Sequence, residues 1–347
     1  MKPTRPLQRG GPAAPIPGRY KLRSRDFFVE EIPLYQPSGE GTHTYLLIEK
    51  EGIPTMEAVS RLAGVLGRRQ RDFGYAGLKD AQAVARQWIS IDGVDPQECE
   101  NLEMEGLRVR EVSRHRNKIK MGHLRGNRFS ILIDGVGSEH ATAAKENLQD
   151  MARRGVPNHF GEQRFGKRGS NLEKGREILE GNPRKAAGGM PRRLLNLIIS
   201  AVQSEVFNRV VNARIETLGS LLDGDVAWLH RNGASFLVED LVSEQIRCDS
   251  FEISPSGPLP GPKLLRPQGM VAEIEERVMK ECEIEPEIFA RMPHGTHPGA
   301  RRPLRVPVGD PKANAEPEGL RVTFELPRGS YATSVLRELL EATPWFE

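Results

Sequence analysis

The chain has 347 residues and a formal charge of only +3, with 50 Lys or Arg against 47 Asp or Glu, so the distribution of charge matters more than its sum. The length exceeds a usual single core, which makes two domains the expectation. Three scattered cysteines (Cys99, Cys248, Cys282) argue against a disulfide framework or thiolate metal site. No apolar run approaches the roughly 18 to 20 residues of a membrane span and no signal-peptide core follows the first basic residues, so a soluble, cytoplasmic protein is expected.

Residues 1–19 combine five prolines (Pro3, Pro6, Pro12, Pro15, Pro17) with Lys2, Arg5, Arg9 and Arg19, a composition that buries no core and reads as a disordered basic arm. Order begins near Tyr20. Residues 21–32 lead into a strand, and Thr42 to Ile48 supplies another after the Gly39-Glu-Gly41 turn; the two read as paired strands of a sheet. A helix follows from Thr55 to Leu66, with Thr55 as its N-cap, Val59, Leu62 and Leu66 on one face, and Gly67 as its stop.

The stretch Phe73 to Ile91 carries the first chemistry. Asp80 follows Lys79 in a turn opened by Gly77, and Arg86, Gln87 and a strand-like Trp88-Ile-Ser-Ile91 come after it. Cations and hydrogen-bond donors keep a carboxylate ionised at neutral pH, the state that a carboxylate nucleophile needs. On spacing alone, the better account of Asp80 is a residue that closes a turn.

From Arg108 to Arg128, eight Lys or Arg stand against one acid, Glu111, a local balance of +7 that is the expected footprint of a nucleic-acid binder. Gly126-Asn-Arg-Phe129 leads into a strand over Ser130 to Ile133. Phe129 is either core or an aromatic face for a base drawn out of RNA. Ser138 to Arg154 reads as a helix ended by Gly155. Pro157 to Gly166 then sets Phe160, Gln163, Arg164 and Phe165 among glycines, offering stacking faces, a phosphate or base-edge donor, and close backbone approach. Gly161 to Lys167 also has the spacing of a phosphate-binding loop, but Arg168 stands where Ser or Thr should bind Mg²⁺.

Arg192 to Leu218 is apolar around most of its circumference and reads as a buried central helix. The region up to about Arg305 is rich in Gly and Pro, with one acidic helix over residues 271–283. Within it His294 and His297 lack a third ligand at a persuasive spacing, so no metal is expected. Leu320 to Leu326 alternates as a strand covered on one face, and a turn and helix carry the chain to Leu340.

In this order the stretches resemble the motifs of the TruD family of tRNA pseudouridine synthases. Lys21 with Asp26-Phe27-x-Val29-x-Glu31 is similar to the family's opening motif, although Ser24-Arg25 replaces the usual Pro-Glu. Ala-Gly-Leu-Lys-Asp80 with Ala-Val-Ala-Arg-Gln-Trp88 resembles its active-site motif. Gly-Asn127-x-Phe129, the Phe160 to Gly166 segment with His159 in place of the common Tyr, Ser200 to Asn208, and Leu326-Pro-x-Gly-Ser-Tyr-Ala-Thr333 resemble further motifs. The likeness runs from Lys21 to about Thr343 and covers residues 212–318 poorly.

The resemblance implies an α/β (α+β) fold: a pseudouridine-synthase catalytic domain on a mixed, largely antiparallel sheet (residues 20–155 and 306–347) and an inserted family-specific α/β domain (156–305). It further implies isomerisation of uridine to pseudouridine in tRNA, at position thirteen, without a cofactor. Asp80 would be the nucleophile, held ionised by Lys21, with Phe27, Asn127, Phe129, Phe160, Gln163, Arg164 and Phe165 around a base flipped into a basic cleft. tRNA is the expected partner and a monomer the expected state. Two rival readings are a non-catalytic RNA-binding protein using the same basic surface, and a phosphate-hydrolysing enzyme built on the Gly161 to Lys167 loop.

Overall fold

The computed structural model describes residues 2–20, 23–292 and 296–342. In chain order its strands are β1 (Phe27–Pro33), β2 (His43–Glu51), β3 (Phe73–Tyr75), β4 (Val84–Asp92), β5 (Glu103–Met104), β6 (Leu107–His115), β7 (Leu124–Ile133), β8 (Val156–Pro157), β9 (Val226–Leu229), β10 (Ser235–Leu237), β11 (Ile253–Leu259), β12 (Ala300–Pro303), β13 (Arg305–Val306), β14 (Gly309–Glu316) and β15 (Gly319–Pro327). The α-helices are α1 (Thr55–Val65), α2 (Pro96–Cys99), α3 (Ala141–Arg154), α4 (Glu162–Phe165), α5 (Ser170–Glu180), α6 (Pro183–Gly188), α7 (Arg192–Ala213), α8 (Leu241–Asp249), α9 (Gly269–Glu281) and α10 (Ala332–Leu339).

The chain divides into two compact units. One is formed by Ala13–Ala152 and Val308–Ser330, the other by Met1–Pro12, Arg153–Pro307 and Tyr331–Glu347. The first unit is built on a nine-stranded sheet in the order β14-β15-β7-β1-β4-β2-β6-β5, with β3 also paired to β4. Among the described residues, only the β1–β4 pair in it is parallel. β1 and β2, expected as direct partners, share this sheet but are separated by β4. The reason lies in β4 itself: Ala85, Trp88, Ile89 and Ile91 are all buried, so the strand is apolar on both faces and takes a central position. On one face Leu46, Ile48, Phe73, Ile89 and Ile91 pack with Ala58, Val59 and Leu62 of α1. A smaller cluster joins Tyr45, Ala76, Trp88, Ile119 and Leu124.

The second unit packs α7 at the centre of a core that includes Leu172, Leu179, Val278, Phe289 and Leu304. By length and composition α7 could cross a membrane, but it is mostly buried inside this unit, as a core helix is. The unit also holds a four-stranded antiparallel sheet in the order β10-β9-β11-β12, in the region where the sequence gives weak signals. Its strands are short, and one, Ile-Ser-Pro-Ser-Gly-Pro-Leu259, carries no alternation to read.

Residues 2–19, expected as a disordered arm, are instead held along the two units. Thr4 N donates to Glu205 at 2.9 Å, Leu7 N to Asn212 Oδ1 at 2.9 Å and Arg9 N to Glu338 Oε2 at 2.9 Å. In the sheet unit Ile16 is 1% exposed and Arg19 bridges Asp134. Three of the contacts on the helical unit are made by main-chain donors, of which side-chain composition gives no sign, and Gln8 Nε2 adds a side-chain donor. Residues 331–342 also group with the helical unit, because α10 buries Val335, Leu336 and Leu339 and its final carbonyls accept from Gln8.

Strand β3 approaches the β6–β7 connection closely: a Cβ on Gly74 would lie 2.3 Å from the Ile119 carbonyl oxygen and 2.6 Å from Ser90 Oγ. Gly74→Ala should therefore destabilise the protein by about 1–3 kcal/mol through overpacking. Urea denaturation reads this as a lowered midpoint, and a midpoint equal to the parent's would mean the contact is loose.

Candidate active site

The segment between β3 and β4 carries Asp80 at the surface, while its backbone is clamped from beneath. Gln87 Nε2 donates to Gly77 O at 3.2 Å, Thr55 Oγ1 accepts from Lys79 N at 2.8 Å, and Lys50 Nζ donates to Asp80 O at 2.7 Å. Thr55 N adds a fourth contact, to Lys79 O at 3.4 Å. Lys50, Thr55 and Gln87 are all buried. Thr55, expected as an N-cap, is the first helical residue after Pro54, and its hydroxyl donates to Gln87 Oε1 at 2.8 Å. Helix α1 is thereby tied to the loop.

Strand register aligns four polar side chains on one sheet face. Lys50 stands opposite Ala85, two residues from Gln87, and Val29 opposite Ala85 places Glu31 beside it, with Asn127 opposite Glu31. Lys79 closes this row from above: its Nζ lies 3.6 Å from Glu31 Oε2 and hydrogen-bonds to Asn127 Oδ1. Burial pushes the Glu31 carboxyl up and the Lys79 ammonium down, and each partner's charge opposes the shift. Burial also pushes Lys50 down to about 8, with the Asp80 charge drawing it back up. Asp80 thus sits in the field of a buried cation.

Lys21, the cation expected beside Asp80, lies outside the described residues, as does His294. Phe27 and Phe129 are buried. The Phe129 ring meets Phe27 edge-on with centroids 6.1 Å apart and tilts against Phe324 at 5.5 Å, which leaves it 7% exposed. Asn127, two residues before it, is half-buried.

The remaining expected residues belong to the helical unit. Phe160 and Phe165 fill its core, so their rings offer no open stacking face, and Asn208 holds the Phe160 backbone with bonds of 2.8 and 3.0 Å. Gln163 is exposed and Arg164 half-buried, its guanidinium 4.9 Å from the Phe160 ring centroid and its Nε donating to Ser204 Oγ at 3.1 Å. Arg302, which no motif marked, lies over the same ring at 4.2 Å and is pushed down to about 10 by burial, with Arg164 adding to the shift. His159 is buried, donates to Asn212 Oδ1 at 2.8 Å and is pushed down to about 3, so it is neutral at physiological pH. In the Gly161 to Lys167 loop, residues 162–165 form a helical turn in which Arg164 N is taken by Gly161 O at 3.0 Å, unlike a phosphate-cradling loop.

A family model described as tRNA pseudouridine synthase D (TruD) matches residues 12–190 and 180–339. Among curated proteins, a tRNA pseudouridine synthase D from Geobacter metallireducens is 41% identical over 384 residues, covering 93% of this chain and 95% of its own. One from Anaeromyxobacter sp. (strain Fw109-5) is 43% identical over 329 residues, covering 94% and 93%. A crystal structure from Methanosarcina mazei, whose description names tRNA pseudouridine synthase D, aligns with a TM-score of 0.83 and 25% identity over 97% of this chain and 96% of that one. With likeness of this extent in both sequence and structure, the chain belongs to the TruD family of tRNA pseudouridine synthases.

Proposed function

We propose that the protein isomerises uridine to pseudouridine in tRNA, at uridine 13, with Asp80 as the nucleophile. The observation that carries this reading is the Asp80 loop, whose backbone is clamped at four points by buried groups while the carboxylate faces solvent. A reacting group held in place needs no rearrangement when substrate arrives. In the reaction the N1–C1′ bond breaks, the uracil turns and a C5–C1′ bond forms; C5 loses a proton and N1 gains one, so no redox partner or energy source is consumed. Attack at C1′ and removal of a C2′ proton both use Asp80 as a carboxylate, and the Lys50 Nζ fixes the main chain that carries it. Asn127 and Phe129 are assigned to the target base, and Gln163 and Arg164 to RNA contacts. Mapping pseudouridine in unmodified tRNA after incubation with the purified protein tests the whole reading.

Asp80→Asn keeps the side-chain shape and removes the charge. Single-turnover conversion should collapse by several orders of magnitude while filter-binding affinity for tRNA stays level or tightens slightly, since a carboxylate has left a site that receives a polyanion. Near-normal conversion would remove Asp80 from the nucleophile role.

Lys50 gives activity and stability opposite pH responses. Its folded pKa of about 8 lies below the ordinary 10.5, so the folded state binds fewer protons than the unfolded one across that window, and the contribution of Lys50 to stability rises with pH there. Activity should fall through about pH 8, because a neutral Lys50 amine holds the Asp80 carbonyl more weakly than the ammonium does. Lys50→Met should lower the rate and abolish this basic limb. A limb of unchanged midpoint in that variant would assign the titration to another group.

A further inference from the structure

Of the eight basic side chains from Arg108 to Arg128, four pair with acids among the described residues and four do not, Arg114 among the latter with its Nη1 donating to Gly41 O at 3.3 Å, away from the tip described below. Arg108 pairs with Glu103, Arg110 with Glu49, Arg116 with Glu40, and Arg128 with Glu325 at 2.6 Å and Glu30 at 3.3 Å. Acids from other strands and turns therefore cancel much of the local +7. Lys120 and Arg125 are exposed and make no ion pair among the described residues. Lys118 Nζ donates to the neutral Arg71 O at 2.7 Å, and Arg328 Nη1 to Gly122 O at 3.1 Å, so both keep their charge.

These four cations lie on or beside the tip that joins β6 to β7. The tip is fastened to the segment that carries Asp80. Gly122 N donates to Ala76 O at 2.8 Å, Ile119 N to Ser90 Oγ at 2.9 Å, Tyr45 Oη to Asn117 O at 2.6 Å and Arg328 N to Arg125 O at 3.0 Å. The Ile119 side chain shares a core with Ala76, Tyr45, Trp88 and Leu124. Two apolar side chains stand out of this surface, Met121 at the tip, 62% exposed, and Leu78, two residues before Asp80, 49% exposed.

We propose that this tip, through Lys118, Lys120, Arg125 and Arg328, grips the phosphates of the RNA strand that carries the target uridine, with Met121 against its unstacked bases. The inference rests on the tRNA-modifying reading and adds to it the place where the backbone is held. Cations bonded to carbonyls project their full charge toward a polyanion, whereas those paired to carboxylates do not. Phosphate contacts fix the register of a nucleic acid, and a tip anchored to Ala76 fixes that register relative to Asp80. An exposed, unbranched apolar side chain among such contacts is suited to packing on bases opened by flipping.

The test compares two triple variants that remove equal charge: Lys120→Ala/Arg125→Ala/Arg328→Ala at the tip, and Arg108→Ala/Arg110→Ala/Arg116→Ala in the paired set. Filter binding of unmodified tRNA is measured over a salt series. The tip variant should flatten the log–log slope by about 2 to 3 and weaken binding about tenfold or more, whereas the paired variant should move the slope by less than about 0.5. Equal effects from both would mean that only bulk charge matters, and an unchanged tip slope would remove the tip from the interface; either overturns the proposal. Should the tip triple variant fail to melt cooperatively, Lys120→Glu alone should raise KM about tenfold with kcat retained, and unaltered KM would overturn the proposal. If the parent protein converts uridine and the tip variant binds as the parent does, only the docking surface fails; if the parent converts none, the enzymatic reading itself fails.

Discussion

The loop that carries Asp80 depends on a buried ammonium whose hydrogen bonds, among the described residues, all go to carbonyls. Lys50 is 1% exposed and donates to two carbonyls, Ile53 O and Asp80 O, both at 2.7 Å. A charged amine in such surroundings costs free energy, which lowers its pKa and ties its stability to the loop that supplies the acceptors. Loop and strand are thereby interdependent: the loop satisfies the lysine and the lysine positions the loop. Thr55 and Gln87 extend the same logic, each spending its polar groups on backbone or on the other.

Beside this lies the Glu31–Lys79 pair, also buried. Such a pair is weak evidence for stability, because desolvation offsets much of the attraction, but removing one member leaves a charge with no compensation. Its value here is positional. Lys79 precedes Asp80 directly, and with its ammonium held between Glu31 and Asn127 its backbone has little freedom to twist. Two residues on different strands of the sheet thus restrain a third on the loop.

Much of this was legible in the sequence, for reasons that differ by residue. Asp80, Asn127 and Phe129 stood in stretches that resemble family motifs, and the alternation of Leu320 to Leu326 marked a strand now seen as β15. No motif marks Lys50, although the sequence carries a sign of it: it follows Leu46 and Ile48 at the inward positions of β2, where a solvated lysine would not stand. β14 was invisible because it pairs only with β15, and an edge strand needs no apolar face. Charge counting along the chain overstates the open charge of residues 108–128, since acids that pair with four of its eight cations, Glu40, Glu49, Glu103 and Glu325, come from elsewhere in the sequence. Arg302 stood in a stretch without motifs, and only folding sets it over Phe160 beside Arg164.

The opening residues show a different kind of coding. Thr4, Leu7 and Arg9 are recognised by their amides, and Pro3, Pro6 and Pro12, which have no amide hydrogen, fall at positions between or beyond them. Prolines also restrict the unfolded chain, which lowers the entropy lost when the segment lies down. What selection can see at Thr4, Leu7 and Arg9 is also their phase: inserting one residue between Thr4 and Arg9 would carry the later amide donors out of step with Asn212 and Glu338.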